Sequence, residues 1–340
     1  MKSFNPAISF VRVVAMLSII VGHICTEYRI NTFQFGGIGV EIFLFISGYL
    51  YGTREINNYV QWGIKRWKRL IPPLWYAVAI CTFVTILMGA SMKWTVILTY
   101  IFCAQGIGRI VIKNRMQTLL GMGQTWFLTI LVVCYILMLL LKKFPKIEKH
   151  IDEHRGLYVL GSVFLQITLC YVGIQIVYFL QFFIGYFLSK KDTDQTQNAW
   201  VNRRSVVALM VASIISAGVR LWTNRCIDGT ILYDRVVARW SFCIISIWLI
   251  SIMVLVCKKE WAERMVKSRI WALIDIMSYP LFLAHYMFLT GEMKVMNWLN
   301  GIAVQLIAFC FLTFIVAVCI TLLTEWRSIG KIRKSNQVGV

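Results

Sequence analysis

The stretch Ala7–Thr26, AISFVRVVAMLSIIVGHICT, decides how the rest of the chain is read. About 20 residues at 1.5 Å each make a helix about 30 Å long, the thickness of a bilayer's hydrocarbon core. Two residues do not belong in hydrocarbon, Arg12 and His23. Ionisable side chains inside a span are costly, face a protein interior or a water-filled cavity, and are functional candidates by default. Eleven positions at about 100° each leave these two only about 20° apart around the helix and about 16 Å apart along it. One face therefore carries both, the arginine toward one end and the histidine toward the other.

The whole chain agrees with this opening. Of 340 residues, 59% are hydrophobic and the mean hydropathy is +0.70, which excludes an ordinary soluble domain and points to an integral membrane protein. Only Lys2 precedes the first apolar run and no small-residue cleavage site follows it, so the run is read as a retained span. The net charge is +20, but the basic residues lie in short loops between apolar runs. Orientation in an anionic membrane accounts for them, and nucleic acid is not expected as a partner. Ten cysteines stand singly with no CxxC pair, most of them inside apolar runs. They read as small buried hydrophobes rather than a disulfide framework or a metal site.

Ten stretches are long and apolar enough to be spans: 7–27, 36–53, 73–90, 126–141, 157–172, 174–189, 205–222, 238–257, 271–290 and 302–324. An eleventh, 93–107, is apolar but short. Charge asymmetry decides whether it crosses. With ten spans and the N-terminus inside, the cytoplasmic segments hold 24 of the 35 Lys and Arg, the outer segments 8, and the spans the remaining three, Arg12, Arg220 and Arg239. A crossing at 93–107 inverts every later loop and makes the count 12 inside against 20 outside. The expected fold is therefore an all-α membrane protein of ten transmembrane helices with both termini cytoplasmic. The segment near 93–107 is read as re-entrant or interfacial, at the cost of leaving Arg109, Lys113 and Arg115 outside. One transmembrane domain over 1–326 and a basic cytoplasmic tail over 327–340 complete the expectation, with no room for a soluble catalytic domain.

Depth then sorts the polar residues. His23, Glu27, Glu41, Arg220, Arg239 and His285 fall toward the outer side. A histidine, a nearby carboxylate and arginines at one depth can take a proton and stabilise an anionic intermediate. Arg12 and the loop Arg54–Pro72, with Lys65, Arg66, Lys68 and Arg69, fall on the inner side. Such a loop can bind phosphate, although membrane orientation explains the same charges. Blander readings stand beside the others: a span histidine often only packs between helices, and Arg220 and Arg239 can snorkel to the interface. Tryptophans near the span ends read as an aromatic belt.

Five segments in order resemble the acyltransferase-3 family of membrane proteins. They are Phe10-Val-Arg12 through His23; Gly39-Val-Glu41-Ile-Phe-Leu-Phe-Ile-Ser-Gly-Tyr49; Arg66-Trp-Lys-Arg69-Leu-Ile-Pro72; Gln124-Thr-Trp126-Phe-Leu128; and Ser278-Tyr279-Pro-Leu-Phe-Leu-Ala-His285. The resemblance implies a ten-span enzyme. It would take an acyl group, usually acetyl, from cytoplasmic acyl-coenzyme A. The acceptor would be a hydroxyl of a cell-envelope polysaccharide or its lipid-linked precursor. Two departures stand out: Glu41 where an aspartate is common, and Thr129-Ile-Leu where a glutamate often follows Trp126.

On this reading His23, Arg12, Glu41 and His285 are the expected catalytic residues, with His23 as general base or transient acyl carrier and Glu27 or Glu41 holding its tautomer. Arg12, Lys65, Arg66 and Arg69 are expected to bind the donor. No metal and no permanently bound cofactor are expected. The expected partners are acyl-coenzyme A, a carbohydrate acceptor and the lipid of the cell membrane. The competing class is a transporter or flippase of an envelope precursor, for which paired helix breaks and an internal repeat are missing from the sequence. A scaffold in a polysaccharide-assembly complex would leave the costly Arg12–His23 placement unexplained.

Overall fold

The computed structural model describes residues 6–30, 37–52, 54–89, 94–106, 121–171, 176–190, 201–227, 230–291 and 293–334, with side chains as far as Thr324. Regular structure among the described residues is helical. In chain order the helices are α1 (Pro6–Glu27), α2 (Ile38–Gly52), α3 (Tyr59–Leu87), α4 (Trp94–Ile101), α5 (Trp126–Lys143), α6 (Pro145–Glu153), α7 (Arg155–Leu169), α8 (Ile176–Ser189), α9 (Arg203–Ile227), α10 (Ala238–Cys257), α11 (Glu260–Val266), α12 (Arg269–Ala284) and α13 (Ile302–Lys334).

Among the described residues, seven helices are long and apolar enough to cross a membrane: α1, α3, α5, α9, α10, α12 and α13, some with the short turns that adjoin them. Apolar side chains such as Ile214, Ile215, Ile307 and Phe311 stand exposed on them, as a hydrocarbon solvent allows. The protein is a multi-pass membrane protein. The other three expected spans fall on α2, α7 and α8, which are apolar but only 14 or 15 residues long.

One sequence reading needs adjusting. The basic stretch expected as a loop up to Pro72 is largely helix, because α3 begins at Tyr59. Asn58 caps it, its side-chain oxygen accepting from the Gln61 amide at 2.9 Å. The helix runs on through Pro72 and Pro73. The stretch 93–107 contains only the eight residues of α4, about 12 Å of helix. Arg109, Lys113 and Arg115 lie outside the described residues.

The chain divides into two compact units. The first holds residues 1–18, 37–57 and 130–263. Its tightest packing joins α2 and α8. Small residues let helix backbones approach, and α2 has a Gly48-x-x-x-Gly52 pair. A Cβ on Gly48 would collide with the Phe182 carbonyl, and one on Gly52 with the Tyr186 carbonyl. A Cβ on Gly185 of α8 would collide with the Phe45 carbonyl. The first half of α1 lies against α2 and α10, with Ala7, Val11, Phe45, Tyr49 and Ile250 lining a common crevice. At one end of this unit, Glu148 of α6 accepts a hydrogen bond from Tyr186 at 2.5 Å and pairs with Lys190.

The second unit holds residues 19–36, 58–129 and 264–340. Here α12 packs along α13 and against α3. The Tyr279 hydroxyl of α12 donates to the Leu70 carbonyl at 2.8 Å, beside the two prolines of α3. The end of the α4 segment is fastened to the start of α5 through Thr129. Its hydroxyl donates to the Cys103 carbonyl at 2.7 Å and accepts from the Gly106 amide at 3.0 Å.

Candidate active site

In the second unit the site grows from the end of α12. Its α-helix stops at Ala284 and tightens into a 3₁₀ turn, His285–Phe288. That switch takes backbone groups out of the α-helical register, so carbonyls near the end need other partners. His285 supplies one: its Nδ1 lies 2.7 Å from the Phe282 carbonyl. A carbonyl can only accept, so Nδ1 carries the proton. In the neutral ring Nε2 is then the lone-pair nitrogen. Nε2 is buried and has no hydrogen-bond partner among the described residues.

His23, from the second half of α1, lies beside it. The ring centroids are 5.4 Å apart and the planes tilt by 36°. Tyr286 meets the edge of the His23 ring at 4.7 Å. His285 is fully buried, whereas His23 is only partly so. The accessible histidine thus has a shielded one behind it. Gly121 closes the turn from another side. Its φ is +84°, and a Cβ there would come within 2.5 Å of the Met287 Cα.

Gln124, in the short turn before α5, reaches the same spot. Its amide Nε2 donates to the Phe282 carbonyl at 3.3 Å and to the Leu283 carbonyl at 3.0 Å. Near the C-terminal end of α1 the Glu27 carboxylate pairs with Lys294, and the Tyr28 hydroxyl donates to Gln305 at 2.9 Å. Glu27, considered above as a holder of the imidazole, is engaged with that lysine.

The donor-binding candidates Lys65, Arg66 and Arg69 also belong to this unit, on α3. Lys65 and Arg69 are exposed, and the Arg66 guanidinium lies 5.8 Å from the Trp62 ring. Four basic residues on just over one helical turn, 65, 66, 68 and 69, spread a positive surface around the helix rather than along one loop.

Arg12 and Glu41 belong to the first unit. Arg12 is half-buried on α1, which is one unbroken helix from Pro6 to Glu27, so the spacing to His23 read from the sequence holds. Glu41 is completely buried on α2. The charges of Arg239 and Arg220 act on its carboxylate, which has no hydrogen-bond partner among the described residues. Arg220 is only 2% exposed and stacks 4.2 Å from the Phe242 ring centroid. Arg239 stands 5.7 Å from Tyr178 and 5.8 Å from Phe242. Neither burial nor stacking fits a snorkelling role for Arg220. Next to this cluster Gln181 donates to the Ser246 hydroxyl at 2.7 Å and accepts from the Cys243 thiol at 2.7 Å.

The first unit also has an apolar cavity of about 560 Å³ between α5, α6, α7 and α8. It contains none of the expected site residues, and Arg155 at its rim is paired with Asp152. Cavity size and chemistry therefore point to different places. The histidine pair, unlike the cavity, offers groups that can transfer a proton.

Residues 5–324 match the acyltransferase domain of acyltransferase-3, nearly the whole chain. The chain belongs to the acyltransferase-3 family. It is therefore assigned as a membrane acyltransferase, and nothing supports the transporter reading. No curated protein and no solved structure matches it.

The structure brings His23 and His285 together, which sequence spacing did not foretell. It also adds Tyr286 and Gln124, neither of which had been given a role. Gln124 left a signal, an amide at the mouth of an apolar span. Tyr286 left none beyond its place after His285.

Proposed function

We propose that this protein transfers an acyl group, most simply acetyl, from cytoplasmic acyl-coenzyme A to a hydroxyl of an exported or cell-envelope polysaccharide or its lipid-linked precursor. The observation that carries the reading is the His23–His285 pair, 5.4 Å between centroids, in a chain of an acyltransferase family.

His23, the more accessible ring, takes the proton of the acceptor hydroxyl as general base. The oxygen attacks the thioester carbonyl, a tetrahedral oxyanion forms, and the C–S bond breaks. Coenzyme A leaves as the thiolate and takes up the proton from His23. His285 is the group that orients His23. With its own Nδ1 proton on the Phe282 carbonyl, its Nε2 lone pair can accept an N–H from His23. The other His23 nitrogen then offers its lone pair to the acceptor. Catalytic hydrogen bonds are commonly long in the empty site and tighten with substrate.

The donor's phosphates are assigned to Lys65, Arg66 and Arg69 on α3, with Arg12 guiding the pantetheine arm toward His23. Glu41 serves within the Arg220–Arg239 cluster. The orientation that supports this route has ten spans, both termini cytoplasmic and the 93–107 segment not crossing, with residence in the cell membrane. Residues 1–326 act as one catalytic domain, with 327–340 a basic tail. No metal takes part.

The test is His23→Ala, with insertion in the membrane checked separately. It should abolish thiol release from acetyl-coenzyme A and the acetyl mass increment on envelope glycans. Full activity in the inserted variant removes the mechanism. Cysteines placed between 142 and 155 should be labelled only from the cytoplasmic side, and labelling from outside removes the orientation.

A further inference from the structure

The structure assigns Gln124 as a positioning residue that sets the proton on His285 by holding the turn from which that ring hangs. The inference rests on the histidine mechanism above. It starts from three facts about one carbonyl and its neighbour.

The Phe282 carbonyl accepts from His285 Nδ1 at 2.7 Å and from Gln124 Nε2 at 3.3 Å, and Gln124 also reaches the Leu283 carbonyl at 3.0 Å. Gln124 is 4% exposed and His285 fully buried, so water does not replace either bond cheaply. The amide orientation is dictated, because the opposite flip would press Oε1 against two carbonyl oxygens. The choice has a cost: Oε1 is left buried with no hydrogen-bond partner among the described residues. A purely packing role would be served better by methionine or leucine, which carry no orphaned acceptor. The amide is explained by what its two N–H groups do.

What they do is hold open the change from α-helix to 3₁₀ turn at His285. Without them the Phe282 and Leu283 carbonyls lose donors in a buried site. The economical repair is for the turn to rewind as α-helix, where backbone amides four residues on satisfy both. Rewinding brings the Tyr286 amide onto the Phe282 carbonyl and displaces Nδ1 of His285, whose own backbone amide already bonds Leu281 in the α-helical register. The ring is then no longer committed to the tautomer whose Nε2 lone pair orients His23. Gln124 acts through His285 and does not touch substrate.

Acetyl-coenzyme A in native membranes is the probe, with thiol release as the readout. Gln124→Met keeps the shape and removes the donors. It should lower kcat about 10²-fold, as a misplaced catalytic group does, while KM for acetyl-coenzyme A stays unchanged. In a His285→Ala background the same substitution should cost less than about 2-fold, because residues acting as a unit are non-additive. Gln124→Glu gives a second handle. Its protonated carboxyl can donate to one carbonyl and its carboxylate cannot, so its kcat should fall as pH rises, opposite to a wild-type histidine base.

An equal cost of Gln124→Met in both backgrounds overturns the proposal. So does wild-type kcat in that variant, a change in KM alone, or a Gln124→Glu pH profile parallel to wild type. Full activity of inserted His23→Ala or His285→Ala instead overturns the mechanism beneath it. Loss in those two with full activity in Gln124→Met overturns this inference alone.

Discussion

The two units each keep polar groups inside an apolar helical body, and they do so in opposite ways. In the first, Glu41, Arg220 and Arg239 are formal charges that hold one another, with Phe242 and Tyr178 shielding them. In the second, His23 and His285 are rings that need carry no charge, and His285 Nε2 has no hydrogen-bond partner among the described residues. Opposite charges that attract one another resist separation and suit the holding of a fold. An unsatisfied nitrogen beside an accessible ring suits proton transfer. Burial alone does not separate the two, since Glu41 and His285 are equally buried. The chemistry of their neighbours does: arginine charges act on Glu41, and a second imidazole stands beside His285.

Substitutions can break that contrast. The largest effect is expected from His23→Ala, which should cost about 10³-fold in the rate of acyl transfer, within the range of a lost general base, with little change in thermal unfolding. Kinetics and melting on the same membranes decide it, and equal damage to both would erase the contrast. Glu41→Gln should do the reverse in kind, removing the carboxylate on which Arg239 and Arg220 act at about 3 kcal/mol of stability. A melting temperature equal to wild type would show that the arginines are balanced elsewhere. Gly48→Ala should lose about 2 kcal/mol, because the new methyl meets a backbone carbonyl that cannot swing away. Gly63→Ala, whose Cβ would meet nothing within 4 Å, is the matched control. The smallest effect belongs to Tyr279→Phe, which removes one hydrogen bond to Leu70 and should cost about 1 kcal/mol in unfolding.

Much of the helical layout was legible because an apolar run of span length is a local property. All ten expected stretches fall on helices. Residues 59–73 misled because four basic side chains and two prolines look like a loop. Within the structure the helix continues, and the Tyr279 hydroxyl supplies a donor beside those prolines. The amides missing at Pro72 and Pro73 are those that would serve the Lys68 and Arg69 carbonyls, and that the helix persists through them cannot be read from the segment itself. The site divides the same way. His23 announced itself by cost, an imidazole in hydrocarbon on the face of Arg12. Its neighbour His285 is far along the chain, and their meeting depends on how α12 ends. Gln124 was quoted for its motif, but its partners are backbone carbonyls, which no residue type reveals. Glu27 was plausible by spacing and proves engaged, because Lys294 arrives from a distant loop.

The backbone contact of α2 with α8 has a consequence for the membrane itself. At 15 and 14 residues these helices measure about 22 Å and 21 Å, against a hydrocarbon core of about 30 Å. As spans they are mismatched by some 8 Å, and neither can bend or slide to hide it while Gly48, Gly52 and Gly185 lock them. Were both to cross, the lipid would have to yield instead, drawing its leaflets together around the pair. Bilayer thickness thereby becomes a variable of the enzyme: short-chain lipids should support it better than long-chain ones.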